Sequence, residues 1–383
     1  MIKMRRKNYS KSLKQPFVVS LFLLLILLEA CGAVDLKPVL RTTTLAQKYI
    51  DKNGFKIEYQ NLDRARIRGV KISAFSVSES FLSDFDARES TWKNGVFKNT
   101  KFDRVYFDKA YFENVVFENC KITRTNFFES RMVNVKFVNC EIEGTSFTDL
   151  IDSNIEIIDS TLKNNDGNFK GFFEAQVKLR LIGTTIENTN FVYLKKGSSV
   201  YMENSKNIKS HYTQSSLDFF KIINSKISKS SLADAEITNI SVQNSNIGFS
   251  LHDAKVENTI IDNSFISGLS AIKTIGKVFL ITNCKNSGKV SFFDARIDSI
   301  SLANCDFDSL HPMYVFSNAF FLENASIVDA DFTEAKIKKL TMKSVTFTEK
   351  AEFTDFKPGK KILKNVKKGS NLKLITDGST IKF

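Results

Sequence analysis

The chain has 383 residues, of which 42% are hydrophobic and 25% are charged, and its formal net charge is +13. That apolar content is too high for a disordered chain and is typical of a folded protein. There are 35 phenylalanines but only one tryptophan, four prolines and three histidines. So few histidines leave little material for histidine-based catalysis or for a metal site with cysteine and histidine ligands.

The first thirty residues have the features of an export signal. Six basic residues between Lys3 and Lys14 precede an apolar run of twelve residues, Phe17 to Leu28, which is too short to span a bilayer as a helix. The following sequence, Leu28-Glu29-Ala30-Cys31, resembles a bacterial lipobox. The resemblance implies cleavage after residue 30 and an acylated Cys31 that holds the mature chain on a membrane. The alternative is an ordinary signal peptide in which Cys31 has no such role.

Residues 31–54 are predicted to contain the lipidated N-terminus, a linker and a cap for the domain that follows. Within this segment we expect Thr44 to cap a short helix that runs to Asp51, with Gly54 just beyond its end. Gly32 is not the aspartate that resembles an inner-membrane retention signal, so the outer membrane is mildly preferred.

The positive charge is concentrated at the two ends of the chain. The signal segment holds six basic residues and one acid, and residues 357–383 hold eight lysines and one aspartate. The remaining body, residues 31–356, is left with a net charge of about +1. The protein is therefore a near-neutral body with a basic C-terminal segment.

A five-residue period dominates the body of the chain. Every fifth residue from Ile57 to Phe147 is apolar, which gives nineteen consecutive pentads, and the residue two positions earlier is mostly small. A helix repeats every 3.6 residues and a flat strand every 2.0, so a period of five fits neither. The pattern resumes downstream in shorter blocks. We interpret the interruptions as loops or irregular coils within one domain; they lie at 148–156, 163–171, 193–211, 267–291 and 308–321.

This pattern resembles the pentapeptide-repeat family, as in the segments 117–122 and 330–337, which read FENCKI and ADFTEAKI. The resemblance implies an all-β fold, a right-handed quadrilateral parallel β-helix with four pentads per coil, here over residues 55–356. A second period of twenty supports four pentads per coil, because Asn99, Asn119 and Asn139 recur at that spacing. Asparagine is suited to turns, since it tolerates positive φ, and we expect it there.

The cysteines allow two interpretations. Cys120 and Cys140 are twenty residues apart, and Cys284 and Cys305 are twenty-one apart, so each pair falls on neighbouring coils. Export would favour disulfides, but side chains that point in parallel toward the interior favour reduced, buried thiols. We predict no cofactor, no metal site and no catalytic residue.

The basic C-terminal segment, residues 357–383, is predicted to be a cap or tail. Pro358 and Gly359 mark a break after the last regular pentads. Apolar residues in the segment favour a cap that closes the end of the solenoid. Its lysines are also candidate contacts for an anionic lipid or polysaccharide surface or an acidic partner, and both roles are compatible; these candidates are Lys357, Lys360, Lys361, Lys364, Lys367, Lys368 and Lys373.

These observations predict a lipid-anchored protein of the bacterial cell envelope that is not an enzyme and acts as a structural or protein-interaction scaffold. The alternatives are an adhesin or envelope-complex subunit with a specific partner, and a polysaccharide-active β-helix enzyme. Some pentapeptide-repeat proteins mimic duplex DNA, which requires a strongly acidic rod. A body with a charge of about +1 does not fit that role, and we expect no nucleic-acid partner. The sequence leaves the oligomeric state open.

Overall fold

The structure is a computed structural model that describes Leu36 and residues 39–165, 171–285 and 287–381. It is a parallel β-solenoid of about 16 coils that begins with one short helix. At the usual spacing of about 4.8 Å between strands, the solenoid is on the order of 75 Å long. The predicted all-β fold class is confirmed. The export segment, including Cys31, lies outside the described residues.

All strands belong to one parallel sheet that winds around the solenoid. In the first half the strands are β1 (Phe55–Glu58), β2 (Lys71–Ile72), β3 (Phe75–Ser78), β4 (Phe81–Ser83), β5 (Thr91–Lys98), β6 (Lys101–Asp103), β7 (Tyr111–Glu118), β8 (Lys121–Thr123), β9 (Arg131–Val138), β10 (Glu141–Glu143), β11 (Ser153–Ile158), β12 (Thr161–Asn165), β13 (Val177–Ile182), β14 (Thr185–Thr189), β15 (Ser198–Glu203) and β16 (Lys206–Ile208).

The second half contains longer strands that run through some of the corners. They are β17 (Ser216–Ile223), β18 (Lys226–Ser231), β19 (Glu236–Gln243), β20 (Asn246–Ser250), β21 (Lys255–Asp262), β22 (Phe265–Ser270), β23 (Ile275–Thr282), β24 (Ser287–Ser291), β25 (Arg296–Ala303), β26 (Asp306–His311), β27 (Phe316–Asp331), β28 (Lys336–Glu352), β29 (Lys360–Lys364), β30 (Lys367–Lys368) and β31 (Lys373–Ile375).

Each coil has four faces, and each face contributes one inward residue. We number the faces by the coil that carries Trp92 on face one, Phe97 on face two, Phe102 on face three and Phe107 on face four, all of which are buried. The registers confirm the twenty-residue coil, because Trp92 lies beside Phe112 and Phe97 beside Phe117. The five-residue period therefore predicted the inward residues of this region correctly.

Aromatic rings stack from coil to coil on the inside of face four. The ring centroids of Phe107 and Phe127 are 5.2 Å apart, and those of Phe127 and Phe147 are 5.1 Å apart, with interplanar angles below 10°. The column continues through Phe172 and Phe191 at 4.6 and 5.3 Å. Stacked rings one coil apart account for the high phenylalanine content, because each ring fills the core and contacts its neighbours above and below.

The corners depend on residues in the left-handed conformation. Every fifth residue from Glu79 to Asp149 has positive φ, and the asparagines expected at turns are among them. From Asn244 onward positive φ recurs only about every ten residues, so two of the four corners of each coil lose it. Strands β27 and β28 pass through such corners as continuous strands of 16 and 17 residues. The cross-section therefore changes along the solenoid while the register is kept.

The column of small residues between faces two and three has a hydrogen-bonding role. The Ser225 hydroxyl accepts the backbone N–H of Ser205 over 3.0 Å and donates to the carbonyl of Ile223 over 2.7 Å. The Ser245 hydroxyl accepts the N–H of Ser225 in the same way, also over 3.0 Å. Small hydroxyl side chains are thus favoured at this corner, because they satisfy backbone groups that the strand ladder leaves without a partner.

At three of the predicted interruptions, the coil is longer than twenty residues. The coil between Thr161 and Thr185 has 24 residues, that between Lys178 and Ser199 has 21, and that between Ile275 and Arg296 has 21. The prediction for 308–321 is wrong, because the twenty-residue register continues there without interruption. Ser317, which is buried, takes an inward position where the pattern has an apolar residue, so the sequence signal is lost although the coil is regular.

A helix covers the first coil. Helix α1 (Thr43–Asn53) follows a short 3-10 turn (Val39–Arg41), and its N-cap is Thr42, so the predicted cap at Thr44 is wrong by two residues. The helix is positioned by the chain just before it, since the N–H of Arg66 donates to the carbonyl of Leu40 over 2.7 Å. The Gln47 amide then hydrogen-bonds both the N–H and the carbonyl of Lys71 at the open edge. The helix thus protects an edge that could otherwise pair with another chain.

Candidate functional site: the lysine-rich C-terminal coils

The strand ladder continues past residue 356 into the basic segment. Strands β29, β30 and β31 all pair with β28, so the segment forms a last coil of the solenoid. Leu363, Val366, Leu372 and Leu374 are partly buried against the core. The segment thereby covers the end of the core with its apolar side chains, while its described lysines, Lys357 to Lys373, face solvent.

Like charges meet on neighbouring coils in this region. Lys360 lies in register with Lys339, and Lys364 lies in register with Lys343. Lys373 lies in register with Lys350 at another corner. Lys343 and Lys350 each have a carboxylate nearby, Glu323 at 3.7 Å and Glu352 at 2.9 Å, so in only one of these three pairs, Lys339 with Lys360, does neither lysine have a carboxylate partner among the described residues. Like charges directly opposite each other on neighbouring strands are destabilising, so this pair favours the approach of an anion.

The seven predicted lysines are all exposed. Among the residues that the structure describes, none of the seven forms an ion pair with a carboxylate, and Lys361 donates to the carbonyl of Thr380. The structure does not bring them into one cluster. Lys357, Lys360 and Lys364 lie on faces one and two, whereas Lys367 and Lys373 lie on the side of faces three and four.

Lys361 and Lys368 have a different position from the other five. They lie in register with the buried residues Leu340 and Phe347, so they occupy inward positions of the last coil. Charged residues at inward positions of a terminal strand discourage pairing with a further strand. These two lysines therefore suit the closing of the solenoid better than the binding of a ligand.

Four further lysines extend the basic region beyond the segment identified from the sequence. Lys336 and Lys338 flank the inward Ile337 on face one, Lys339 follows at the next corner, and Lys343 lies on face two. The Nζ atoms of Lys338 and Lys339 lie 5.8 and 5.6 Å from the ring centroids of Phe316 and Phe321. The sequence analysis missed them because they belong to regular pentads; the available signal was the twenty-one-residue spacing of Lys339 and Lys360.

Elsewhere on the solenoid, some charges are paired from coil to coil, although Lys206 and Lys226 lie in register without a carboxylate partner among the described residues. Lys98 Nζ lies 2.8 Å from Glu118 Oε1, and Lys121 Nζ lies 3.1 Å from Glu141 Oε2. Hydrogen bonds from Lys163 and Lys121 lower the pKa of Glu141. A lysine that is already paired with a carboxylate has little positive charge left to attract an anionic ligand. The unpaired lysines of the last coils keep that charge.

A shallow groove of about 620 Å³ runs along face one in the second half of the solenoid. Four of its eight charged side chains pair across coils, with 2.7 Å between Lys255 Nζ and Glu236 Oε1 and 2.8 Å between Lys277 Nζ and Glu257 Oε1. The hydrogen bond from Lys255 lowers the pKa of Glu236, so this carboxylate stays ionised near neutral pH and is poorly suited to donate a proton. Arg296 and Phe316 lie toward the end of the groove that is nearer the basic coils.

The cysteines and histidines of the described chain have surroundings typical of structural residues. The four described cysteines are free and buried, and burial raises the pKa of the Cys120 thiol. His252 and His311 lie 2.8 and 3.1 Å from single aspartates, Asp253 and Asp329. Within the described ranges, no group of three or more potential ligands could hold a metal ion, and no helix is long and apolar enough to cross a membrane.

Residues 90–169 match the family model described as a pentapeptide repeat region, and the part of this segment up to Asp149 has regular positive φ at every fifth residue. No curated protein matches the chain at a significant level.

The solved structures similar to this chain include two variants of QnrB1, a plasmid-mediated fluoroquinolone resistance protein. They are 14% and 16% identical, with TM-scores of 0.27 and 0.28, and each match covers 53% of this chain and 90% or 91% of theirs. HetL, a pentapeptide repeat protein involved in heterocyst differentiation regulation from the cyanobacterium Nostoc sp. strain PCC 7120, is 12% identical with a TM-score of 0.15. That match covers 76% of this chain and 90% of HetL.

Proposed function

We propose that the protein is an exported, lipid-anchored scaffold of the bacterial envelope whose C-terminal coils bind an anionic surface. The acylated Cys31 would hold the N-terminal end on a membrane, and the solenoid would act as a non-catalytic spacer or interaction surface. A diacylated Cys31 would by itself supply the two chains that stable attachment requires, and the C-terminal lysines at the other end would add electrostatic attraction.

The unpaired lysines of the last coils carry this proposal. Lys339 and Lys360 stack one coil apart with no carboxylate within 4.0 Å in the described part of the chain. Lys206 and Lys226 stack in the same way in the middle of the solenoid, so the last coils are distinguished by the number of such lysines on neighbouring coils and not by stacking itself. Retaining stacked like charges costs stability, and an anionic ligand would relieve that cost. Each lysine near a charged membrane contributes about 1 kcal/mol, so several together give substantial attraction.

The competing functions have less support. A specific protein partner of an adhesin or complex subunit would fit the regular faces equally well, but no contact favours one. An enzyme acting on polysaccharide would need convergent polar groups in a deep groove. The groove on face one is shallow, and half of its charged side chains pair with each other across coils, as in Lys255 with Glu236.

The test uses the chain from residue 32 onward, which lacks the signal and Cys31, together with a variant in which Lys357, Lys360, Lys364 and Lys367 are changed to Gln. Binding to vesicles that contain phosphatidylglycerol is measured by cosedimentation at low salt. We expect the variant to bind more weakly and with a smaller salt dependence, because fewer screened contacts remain. Equal binding and an equal melting temperature for both chains would mean that these lysines only cap the solenoid.

A further inference from the structure

The charges of the last coils are distributed unevenly around the solenoid. Six lysines without a carboxylate partner among the described residues lie on faces one and two and at the corner between them. We call this set the basic surface; it consists of Lys336, Lys338, Lys339, Lys357, Lys360 and Lys364.

Four acids of the same coils lie on the opposite side. Asp329, Asp331, Glu349 and Glu352 lie on faces three and four or at the corner between them. Lys350 on that side is neutralised by Glu352, with 2.9 Å between Nζ and Oε2. Glu334 and Asp355 lie at the corner between faces four and one. Faces three and four also carry Lys350, Lys367, Lys368 and Lys373, so the C-terminal end has a basic side and an opposite side that is close to neutral.

Exposed apolar side chains accompany the basic surface. Phe316 precedes Lys336 in the same column of face one and is 43% exposed, and Ile362 lies between Lys361 and Lys364 and is 42% exposed. The ammonium group of Lys338 lies over the Phe316 ring. Lysines combined with exposed apolar residues are typical of surfaces that lie in a membrane interface.

From this asymmetry we infer that the solenoid docks on anionic lipid sideways, through faces one and two of its last three coils, rather than end-on through its terminal coil. The inference rests on the proposed function and specifies the surface that performs it. End-on docking would present Lys361 and Lys368, which occupy inward positions, and would place Asp331 and Glu352 as near to the membrane as the basic surface. Side-on docking keeps the carboxylates of faces three and four away from the lipid.

Lipid is a better occupant than a soluble polyanion because of Phe316 and Ile362. A polyanion satisfies lysines but gives exposed apolar side chains no apolar environment, whereas the headgroup and acyl boundary of a bilayer does both. The bound groups would be the phosphates of anionic phospholipids, contacted by lysine ammonium groups as point charges.

The first experiment compares two triple variants of the chain from residue 32 onward, each of which loses three positive charges. In one, Lys336, Lys338 and Lys339 are changed to Gln; in the control, Lys206, Lys226 and Lys229, which are exposed on face three and at its corner in the middle of the solenoid, are changed to Gln. With vesicles of phosphatidylcholine and phosphatidylglycerol, we expect roughly a hundredfold weaker binding for the first variant and less than about threefold for the control. Melting temperatures show whether both variants remain folded.

A second experiment reports orientation without removing charge. Phe316→Trp places an indole on face one beside the basic surface, and Phe265→Trp places one on the opposite face three, where Phe265 is 40% exposed. Brominated anionic lipids should quench the emission of the first variant and leave the second close to the unsubstituted chain, whose Trp92 is buried.

The outcomes separate the inference from the proposed function. No vesicle binding by the unsubstituted chain would contradict the proposed function. Binding that both triple variants weaken equally, or equal quenching at positions 316 and 265, would overturn side-on docking and leave the proposed function intact. Binding to heparin but not to vesicles would show that the occupant is a soluble polyanion.

Discussion

The side-chain amide of Asn119 donates a hydrogen bond to the side-chain oxygen of Asn99 one coil earlier, over 3.0 Å, and the two residues have φ values of 54° and 48°. Asn139 donates to Asn119 in the same way over 2.8 Å. Asparagine therefore does two things at this corner. It tolerates the left-handed backbone conformation, and it hydrogen-bonds the asparagine of the neighbouring coil, a contact that exists only in the folded solenoid.

Replacement of Asn119 separates these two contributions. Asn119→Ala loses both the tolerance of positive φ and the side-chain hydrogen bonds, so we expect a loss of about 1–2 kcal/mol in the free energy of unfolding. Asn119→Gly keeps the backbone preference and should cost less than the alanine variant. Denaturant unfolding of both variants measures the difference, and a glycine variant as destabilised as the alanine variant would contradict this account of the corner.

The aromatic column on face two predicts a large cost for truncation of a buried ring. Phe117 stacks between Phe97 and Phe137, with ring centroids 4.9 and 4.6 Å away. Phe117→Ala should lower the free energy of unfolding by about 3–5 kcal/mol, because the cavity is enclosed by neighbouring coils. Glu113→Ala, on the outer surface beside Lys93, is the control and should change it by no more than about 0.5 kcal/mol. Similar costs for both variants would refute the assignment of inward and outward positions.

Asp108 is predicted to be a site where removal of a charge stabilises the fold. Its Oδ1 accepts from Asn126 over 2.7 Å, but its Oδ2 is buried without a hydrogen-bond partner in the described structure, and burial raises the pKa of this carboxyl group. A raised folded-state pKa means that ionisation destabilises the folded state. Asp108→Asn should therefore raise the melting temperature at pH 7.

The pH dependence provides the control for this variant. The gain from Asp108→Asn should shrink as the pH falls through the raised folded-state pKa and vanish below the unfolded value of about 3.9, where both chains are neutral at this position. Asp103→Asn, which removes a carboxylate that is ion-paired with Arg124 at 2.6 Å, should instead lower the melting temperature at pH 7. A lower melting temperature for Asp108→Asn at pH 7 would contradict the interpretation.

The lipid anchor remains a prediction from the sequence and can be tested by itself. Cys31→Ala removes the only group that could be acylated by the lipobox-like mechanism, so the variant should remain an uncleaved precursor or become soluble. Incorporation of labelled fatty acid in growing cells measures the modification. Equal incorporation into the wild-type chain and Cys31→Ala would rule out Cys31 as the acceptor.

The sequence was sufficient to predict the inward residues but not all of the coil geometry. Trp92 and Phe117 follow from the five-residue period alone, because each pentad buries one residue. The interruption predicted at 308–321 was wrong, because the buried Ser317 breaks the apolar pattern without breaking the register. The N-cap was misplaced among consecutive threonines, because docking of Leu40 on the first coil decides where the helix begins.

The candidate site was only partly predictable for a related reason. The lysines of residues 357–373 stand out by composition, but the pairing of Lys339 with Lys360 depends on a coil of twenty-one residues, and that of Lys350 with Lys373 on one of twenty-three. Without those registers the sequence cannot assign lysines to faces. It therefore indicated a basic end but neither the contribution of Lys336 and Lys338 nor the asymmetry between the two sides.

Binding of the unlipidated chain from residue 32 onward to vesicles, as a function of salt, tests the central proposal most directly. We expect binding to vesicles rich in phosphatidylglycerol at about 0.01 M ionic strength, where the Debye length is about 30 Å, and a steep loss toward 1 M, where it is about 3 Å. Vesicles of phosphatidylcholine alone should bind far less at every salt concentration. The absence of binding to anionic vesicles at low salt, or equal binding to neutral and anionic vesicles, would contradict the proposal that the C-terminal lysines hold an anionic membrane surface.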